Sequence, residues 1–172
     1  MLAMDCADYI VDKAIKEKLS ITNLQLQKVL FVLVAQYIKE YNCDYPLDSF
    51  FKAYDYGPVI PEVYAEYSSY GSNPIKKVSD HEEFNFNSFQ FETHTYNEEK
   101  IPSEFKDLVK RYLKKLLSIN VFNIVEYTHS LPLWKQNEED IHSHEPIYYG
   151  KNDVKLDADL DTLIRNNFVR GQ

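Results

Sequence analysis

The sequence predicts a mainly α-helical (α+β) fold, with six to seven helices around one central apolar helix at about 22–39 and a single small β-hairpin at about 83–95. Three observations lead there. Apolar residues recur at helical spacing along most of the chain, one helix is apolar around nearly its whole circumference, and strand-like alternation is confined to the stretch between Lys76 and Lys100. At 172 residues the chain has the size of one domain, and a single unit over 1–172 is expected. Its 44% hydrophobic and 27% charged residues fit a packed core and argue against bulk disorder.

A first helix is expected from Asp5 to Leu19, because Asp5 can cap it and Ala7, Ile10, Val11, Ala14 and Ile15 share a face. Thr22 and Gln25 then have the spacing of a capping box, each side chain able to satisfy the other's free backbone N–H. In the helix that follows, Leu26, Leu30, Leu33 and Tyr37 stack in one stripe with Phe31, Val34 and Ile38 beside it. Gln25, Lys28, Gln36 and Lys39 gather on the narrow arc that remains, so this helix should form the axis of the core.

Residues 41–48 have a loop composition, and Phe50, Phe51, Ala53, Tyr54 and Tyr56 suggest a short extended segment that Gly57-Pro58 breaks. Pro61 suits the first turn of a short helix with Glu62 near its N-terminus, and Gly71 is placed to end it after Tyr70. The hairpin follows from Phe84 and Phe86, a turn at Asn87-Ser88, then Phe89 and Phe91. From Pro102 the helical period returns with Phe105, Leu108, Val109, Tyr112, Leu113, Leu116 and Leu117 on one side. Further helices are expected over Asn120 to Tyr127, from Pro132, and over Asp157 to Phe168, where Asp157, Asp159 and Asp161 would lie in the first turns and favour the macrodipole.

Charge narrows the partners. With 19 Lys+Arg against 27 Asp+Glu the net charge is −8, which makes a phosphate backbone a poor default partner. The longest apolar run, Val29 to Ala35, is far short of the roughly 18 residues of a membrane span, and the N-terminus lacks the pattern of a leader. Cys6 and Cys43 make one pair at most and supply no zinc framework, so reduced thiols in a cytoplasmic protein are expected.

Chemistry-bearing patterns are sparse. The four glycines are scattered, which excludes phosphate-cradling loops, and Gly71-Ser72-Asn73 lacks the second glycine of a nucleophile elbow. His142 and His144 would fall on one side of an extended chain with carboxylates nearby, yet a third metal ligand is missing and a solvated loop accounts for them. His129 reads as a hydrogen-bonding residue at a helix end. No catalytic set, metal or cofactor is therefore expected.

Two surfaces suit a macromolecular partner. Lys106, Lys110, Arg111, Lys114 and Lys115 form a basic face opposite the apolar stripe of their helix, which is also an ordinary solvated face. Eight of the 14 tyrosines fall within residues 37–70, and those that reach the surface, with Tyr54, Tyr67 and Tyr70 as the candidates, would offer rigid contact area. Lys110, Arg111 and Lys114 complete the set of candidate partner-binding residues.

Three stretches occur in a recognisable order: Ile21-Thr-Asn-Leu-Gln-Leu-Gln-Lys-Val-Leu-Phe31, then Ala53-Tyr-Asp-Tyr-Gly-Pro-Val-Ile-Pro-Glu-Val-Tyr64 with Tyr70-Gly71, and Tyr127-Thr-His-Ser-Leu-Pro-Leu-Trp134. The chain resembles the Panacea antitoxin domain family, also described as SocA-like or phage-associated GepA-like, over roughly residues 5–135. Phe31 stands where the family often has Tyr, Tyr54 where Trp is frequent, and residues 76–100 follow no family pattern.

The resemblance implies a bacterial or phage antitoxin that neutralises a cognate protein toxin by direct binding. A proteolytic adaptor, with a protease as second partner, or a nucleic-acid-binding regulator is the alternative. It carries over no catalytic residues. The matching positions are Thr22, Leu24, Leu26, Gln27, Lys28, Tyr56, Gly57, Pro58, Pro61, Tyr64, Gly71, His129 and Trp134. Among them Gln27 lies toward the packed side of its helix, where its amide needs partners, and the backbone of the Tyr56-Gly57-Pro58 turn is the expected one. Gly57 is expected to permit tight geometry, Pro61 to set a helix entry and Trp134 to close the core.

Overall fold

Thr22 starts the helix on which the rest is assembled. In the computed structural model, which describes residues 1–166, the Thr22 hydroxyl accepts from the Gln25 N–H at 3.3 Å and the Gln25 amide oxygen accepts from the Thr22 N–H at 2.9 Å. The helix so capped, α2 (Asn23–Tyr41), is buried almost without interruption from Leu26 to Gln36 and ends where Asn42 turns left-handed at φ 45°. Phe31 sits at its middle, edge-on to Phe51 at 5.1 Å and to Tyr149 at 5.4 Å, so residues far apart in sequence meet on the axis.

Helix α1 (Ala3–Lys16) begins two residues before the expected cap. The acid that caps it comes from elsewhere: Asp48 Oδ1 accepts from Ala3 N at 2.7 Å, which leaves Asp5 inside the first turn. It also stops short of Leu19, because Lys18 takes φ 57° and turns the chain toward α2.

Gly57-Pro58 does not break the extended segment; it continues it. Strands β1 (Lys52–Tyr54) and β2 (Gly57–Val59) form an antiparallel hairpin with Asp55-Tyr56 at its tip. Pro58 is tolerated because it pairs with Ala53, whose N–H is directed the other way, to Ile147 O at 2.8 Å. At such a non-hydrogen-bonded pair the donor that proline lacks would have pointed away from β1. On its far side β1 is lined by residues 147–149, with Tyr149 N donating to Phe51 O at 2.8 Å.

Helix α3 (Pro61–Glu66) starts on Pro61 as expected and runs into a 3-10 turn (Ser68–Tyr70) that closes on Gly71 at φ 56°. A second hairpin, β3 (His81–Asn85) and β4 (Gln90–His94), lies where the alternating phenylalanines predict it, with Phe84 opposite Phe91. Helix α4 (Ser103–Leu117) buries Phe105, Leu108, Val109, Tyr112, Leu113 and Leu116 against α1 and α2. Helix α5 (Val121–Ser130) is capped by Asn120, and α6 (Pro132–Gln136), α7 (Glu138–His142) and α8 (Leu160–Asn166) complete the set.

The acids expected to share the first turns of the last helix divide their work. Asp159 accepts from Thr162 N at 2.8 Å at the start of α8, while Asp157 accepts from the Tyr127 hydroxyl at 2.7 Å and lies outside the helix. The expected continuation of α8 to Phe168 falls outside the described residues. The fold is thus mainly helical, with eight α-helices and two two-stranded antiparallel sheets among the described residues. Helix α2 touches α1, α3, α4, α5 and β2, the axial position its apolar circumference predicts. None of the described helices is long and apolar enough to cross a membrane.

Candidate functional site

Strand β2 presents an outer edge whose backbone groups have no neighbouring strand among the described residues, and side chains of α2 take that strand's place. Lys28 Nζ donates to Pro58 O at 2.8 Å, and Gln27 Oε1 accepts from Ile60 N at 3.0 Å. Consecutive helix residues therefore supply the donor and the acceptor that a paired strand would have offered. Gln27 Nε2 donates in turn to Asn23 Oδ1 at 3.2 Å, and Asn23 Nδ2 to Tyr64 O at 2.9 Å, which ties the start of α3 into the same network.

Two expectations need correction. Gln27 is buried and paired, but its backbone partner is Ile60 and not the 56–58 turn; that turn's carbonyl is taken by Lys28. Lys28 itself lies not on a solvated arc but at 0% exposure, because α2 is surrounded where the polar strip was expected to meet water. Burial alone lowers its pKa from 10.5 to about 7. Replacing Gln27 by Leu strands the Ile60 N–H and the Asn23 side-chain Oδ1 in the interior, so Gln27→Leu should cost roughly 2–4 kcal/mol of unfolding free energy, measured by urea denaturation.

The hairpin tip is held from the other side by α5, α6 and α7. Trp134 Nε1 donates to Tyr54 O at 3.0 Å, and the Trp134 ring lies flat on His129 with centroids 3.6 Å apart. His142 meets the edge of Trp134 at 5.7 Å and places Nδ1 3.0 Å from Asp55 Oδ1. Burial, and next the Lys28 charge, hold the His129 pKa below its ordinary value; its Nε2 has no hydrogen-bond partner among the described residues. His142 ends α7 and His144 follows in a turn at φ 64°, so the two imidazoles do not share the side of an extended chain.

Above this polar floor lies an open cleft of about 340 Å³. Its walls include Tyr54, Tyr56 and Tyr64, exposed by 36%, 58% and 46%, and its floor includes Asn23 and Gln27. Tyr54 and Tyr64 face each other with centroids 6.2 Å apart. Gly71 lines the rim, whereas Tyr70 is half-buried against the core.

The structure thus gathers Thr22, Leu24, Gln27, Lys28, Tyr54, Tyr56, Gly57, Pro58, Pro61, Tyr64, Gly71, His129 and Trp134 around one hairpin and its cleft, with Leu26 in the core behind them. Tyr67 is not part of that surface, being buried with its hydroxyl donating to Asp8 at 2.5 Å. Lys110, Arg111 and Lys114 are exposed on α4, remote in sequence from the hairpin, and Arg111 pairs with Glu40 at 2.6 Å. Sequence reasoning overlooked Asn23, Asp55 and Thr128. The signal for Asn23 was its place inside the capping box; Asp55 meets His142 and Thr128 lies against Gly57 from across the fold, contacts that leave no local signal.

Residues 26–135, the span that contributes this hairpin and nearly all of the cleft, match the family model described as antitoxin SocA-like, Panacea domain. The chain belongs to that family. No curated protein and no solved structure is matched by the chain.

Proposed function

We propose that this protein is an antitoxin that neutralises a cognate protein toxin in the cytoplasm by stoichiometric binding, without turnover. The observation that carries the reading is the tyrosine-walled cleft, nearly all of it within the span that matches the family. Tyrosine gives large contact area at low conformational cost, and the buried Asn23–Gln27 network beneath fixes the walls in place. Enclosure of the Lys28 amine at 0% exposure supports a structural task for the one strongly shifted amine in the network.

The nucleic-acid alternative loses support on α4. Arg111 is paired with Glu40, and Lys115 with Asp161 at 3.2 Å, so the basic face is partly neutralised by the chain's own acids.

Co-expression with the product of the adjacent reading frame tests the proposal. Growth should be rescued, and the two purified proteins should co-elute, with neutralisation saturating at a fixed molar ratio. Tyr54→Ala/Tyr64→Ala should weaken the complex by about tenfold to a hundredfold while the unfolding midpoint stays within a few degrees. Protection at strongly substoichiometric amounts would point to turnover instead, and absence of both rescue and complex would remove the antitoxin reading.

A further inference from the structure

The β3–β4 ribbon carries a surface of a different kind. Phe86, Phe89 and Phe91 are exposed by 79%, 77% and 70%, the three highest values among large apolar residues in the described part of the chain. Scattered exposed apolar residues are ordinary, but three aromatic rings within six positions of one hairpin are a patch. The ribbon pairs with no other strand among the described residues.

Its backbone adds a second observation. Phe89 takes φ 52°, a left-handed conformation that glycine or asparagine adopts readily and a bulky aromatic does not. Asn87 and Ser88 are its neighbours in the same turn, yet the strained place is held by a phenylalanine. Strain retained at a hairpin tip is a mark of function at that tip.

Charge then selects the occupant. From His81 to His94 the ribbon has three carboxylates, Glu82, Glu83 and Glu92, and no lysine or arginine, while the flanking acids Asp80 and Glu98 are paired with Lys77 and Lys13. A second copy of the chain would bring the same acids against these, and nucleic acid or an anionic membrane would be repelled. A protein whose apolar pocket is rimmed by lysine and arginine is complementary in both respects.

We propose that the β3–β4 ribbon is an anchor that inserts its phenylalanines into an apolar, basic-rimmed pocket of a protein partner. Resting on the antitoxin reading, that partner is the toxin. The cleft then supplies a surface built from family motifs, and the ribbon supplies the part of recognition that belongs to this chain.

The probe is the purified product of the adjacent reading frame, titrated against the full-length chain. Phe86→Ser/Phe91→Ser should reduce affinity at least a hundredfold, and Glu82→Lys/Glu92→Lys should slow association about tenfold and remove its dependence on salt. Phe89→Asn should leave the unfolding midpoint unchanged or raise it while weakening the complex at least tenfold, a pair of effects that a merely structural phenylalanine would not give. Unchanged affinity in the Phe86→Ser/Phe91→Ser variant, with the wild-type complex intact, would overturn the anchor and leave the antitoxin reading standing. No complex with the wild type would overturn both. A wild-type dimer in sedimentation that this variant converts to monomer would overturn the proposal in favour of self-association.

Discussion

Gly57→Ala is expected to destabilise the protein by about 4 kcal/mol or more, read as a lower urea midpoint at unchanged m-value. Two costs combine. Gly57 has φ 87°, where a Cβ is strained whatever the surroundings, and that Cβ would lie 2.3 Å from Thr128 Oγ1 and 3.3 Å from Lys28 Nζ. Thr128 cannot swing away freely, because it is buried and its hydroxyl donates to Val125 O at 2.8 Å. Gly71→Ala separates the two costs. Gly71 also has positive φ, but nothing lies within 4 Å of its would-be Cβ, so only about 1–2 kcal/mol is expected there. Thr128→Ala in the Gly57→Ala background should recover part of the loss, giving a double-mutant coupling that Gly71→Ala does not share.

The second large effect concerns pH. Lys28 binds its proton with a pKa of about 7 in the folded chain and 10.5 in the unfolded one, so between these values the unfolded state holds more protons. Stability must therefore rise as pH rises through this window, by about 1.4 kcal/mol per unit at the steepest. From about pH 9 the Cys6 thiol, raised by burial from 9.0 to about 12, and then tyrosines such as Tyr9 and Tyr112, raised to about 12, ionise first in the unfolded chain and cut the gain off. From pH 7 to about pH 9 the net increase should be roughly 1–2 kcal/mol. His129 acts in the same direction lower down, since its depressed pKa means that stability falls as acid protonates the unfolded imidazole first. Urea titrations at several pH values check the slope. In Lys28→Met it should vanish, and the variant should compare worst with wild type at pH 9.5, where the neutral amine satisfies Pro58 O without the burden of a buried charge. A slope of the same size in Lys28→Met would show that other groups produce it.

How much of this was legible in the chain itself varies with the reach of each interaction. The Thr22–Gln25 cap, the axial role of α2, the Pro61 start and the phenylalanine hairpin depend on neighbours a few residues away, and sequence spacing reveals them. Gly57-Pro58 was misleading for the opposite reason. A proline in a strand looks like a break until Ile147, some ninety residues on, is seen to receive the Ala53 N–H and make the pairing one that needs no donor from Pro58. Lys28 shows the same limit: its charge suggests water, and only the packing of β2 and α5 against α2 closes the interior around it. Tyr67 reads as a contact residue from composition, but a buried Asp8 on α1 claims its hydroxyl. The cleft was half visible, since tyrosine density marked the region while the choice of Tyr54, Tyr56 and Tyr64 as its walls required the fold to bring Tyr54 of the hairpin to Tyr64 of α3.

The match to the family ends at residue 135, yet the backbone of 147–149 runs beside β1 and the Tyr149 ring lies against Phe31 on the axis. Leu160 N reaches back to Gln36 Oε1 at 3.1 Å, and Tyr112 and Tyr127 each hold an aspartate from the same stretch. An excision at the limits of resemblance would cut through a seam rather than beside it, baring aromatic rings and orphaning amides on a fragment prone to clump. The working unit for any biochemical preparation is set by this stitching, not by where likeness to relatives fades.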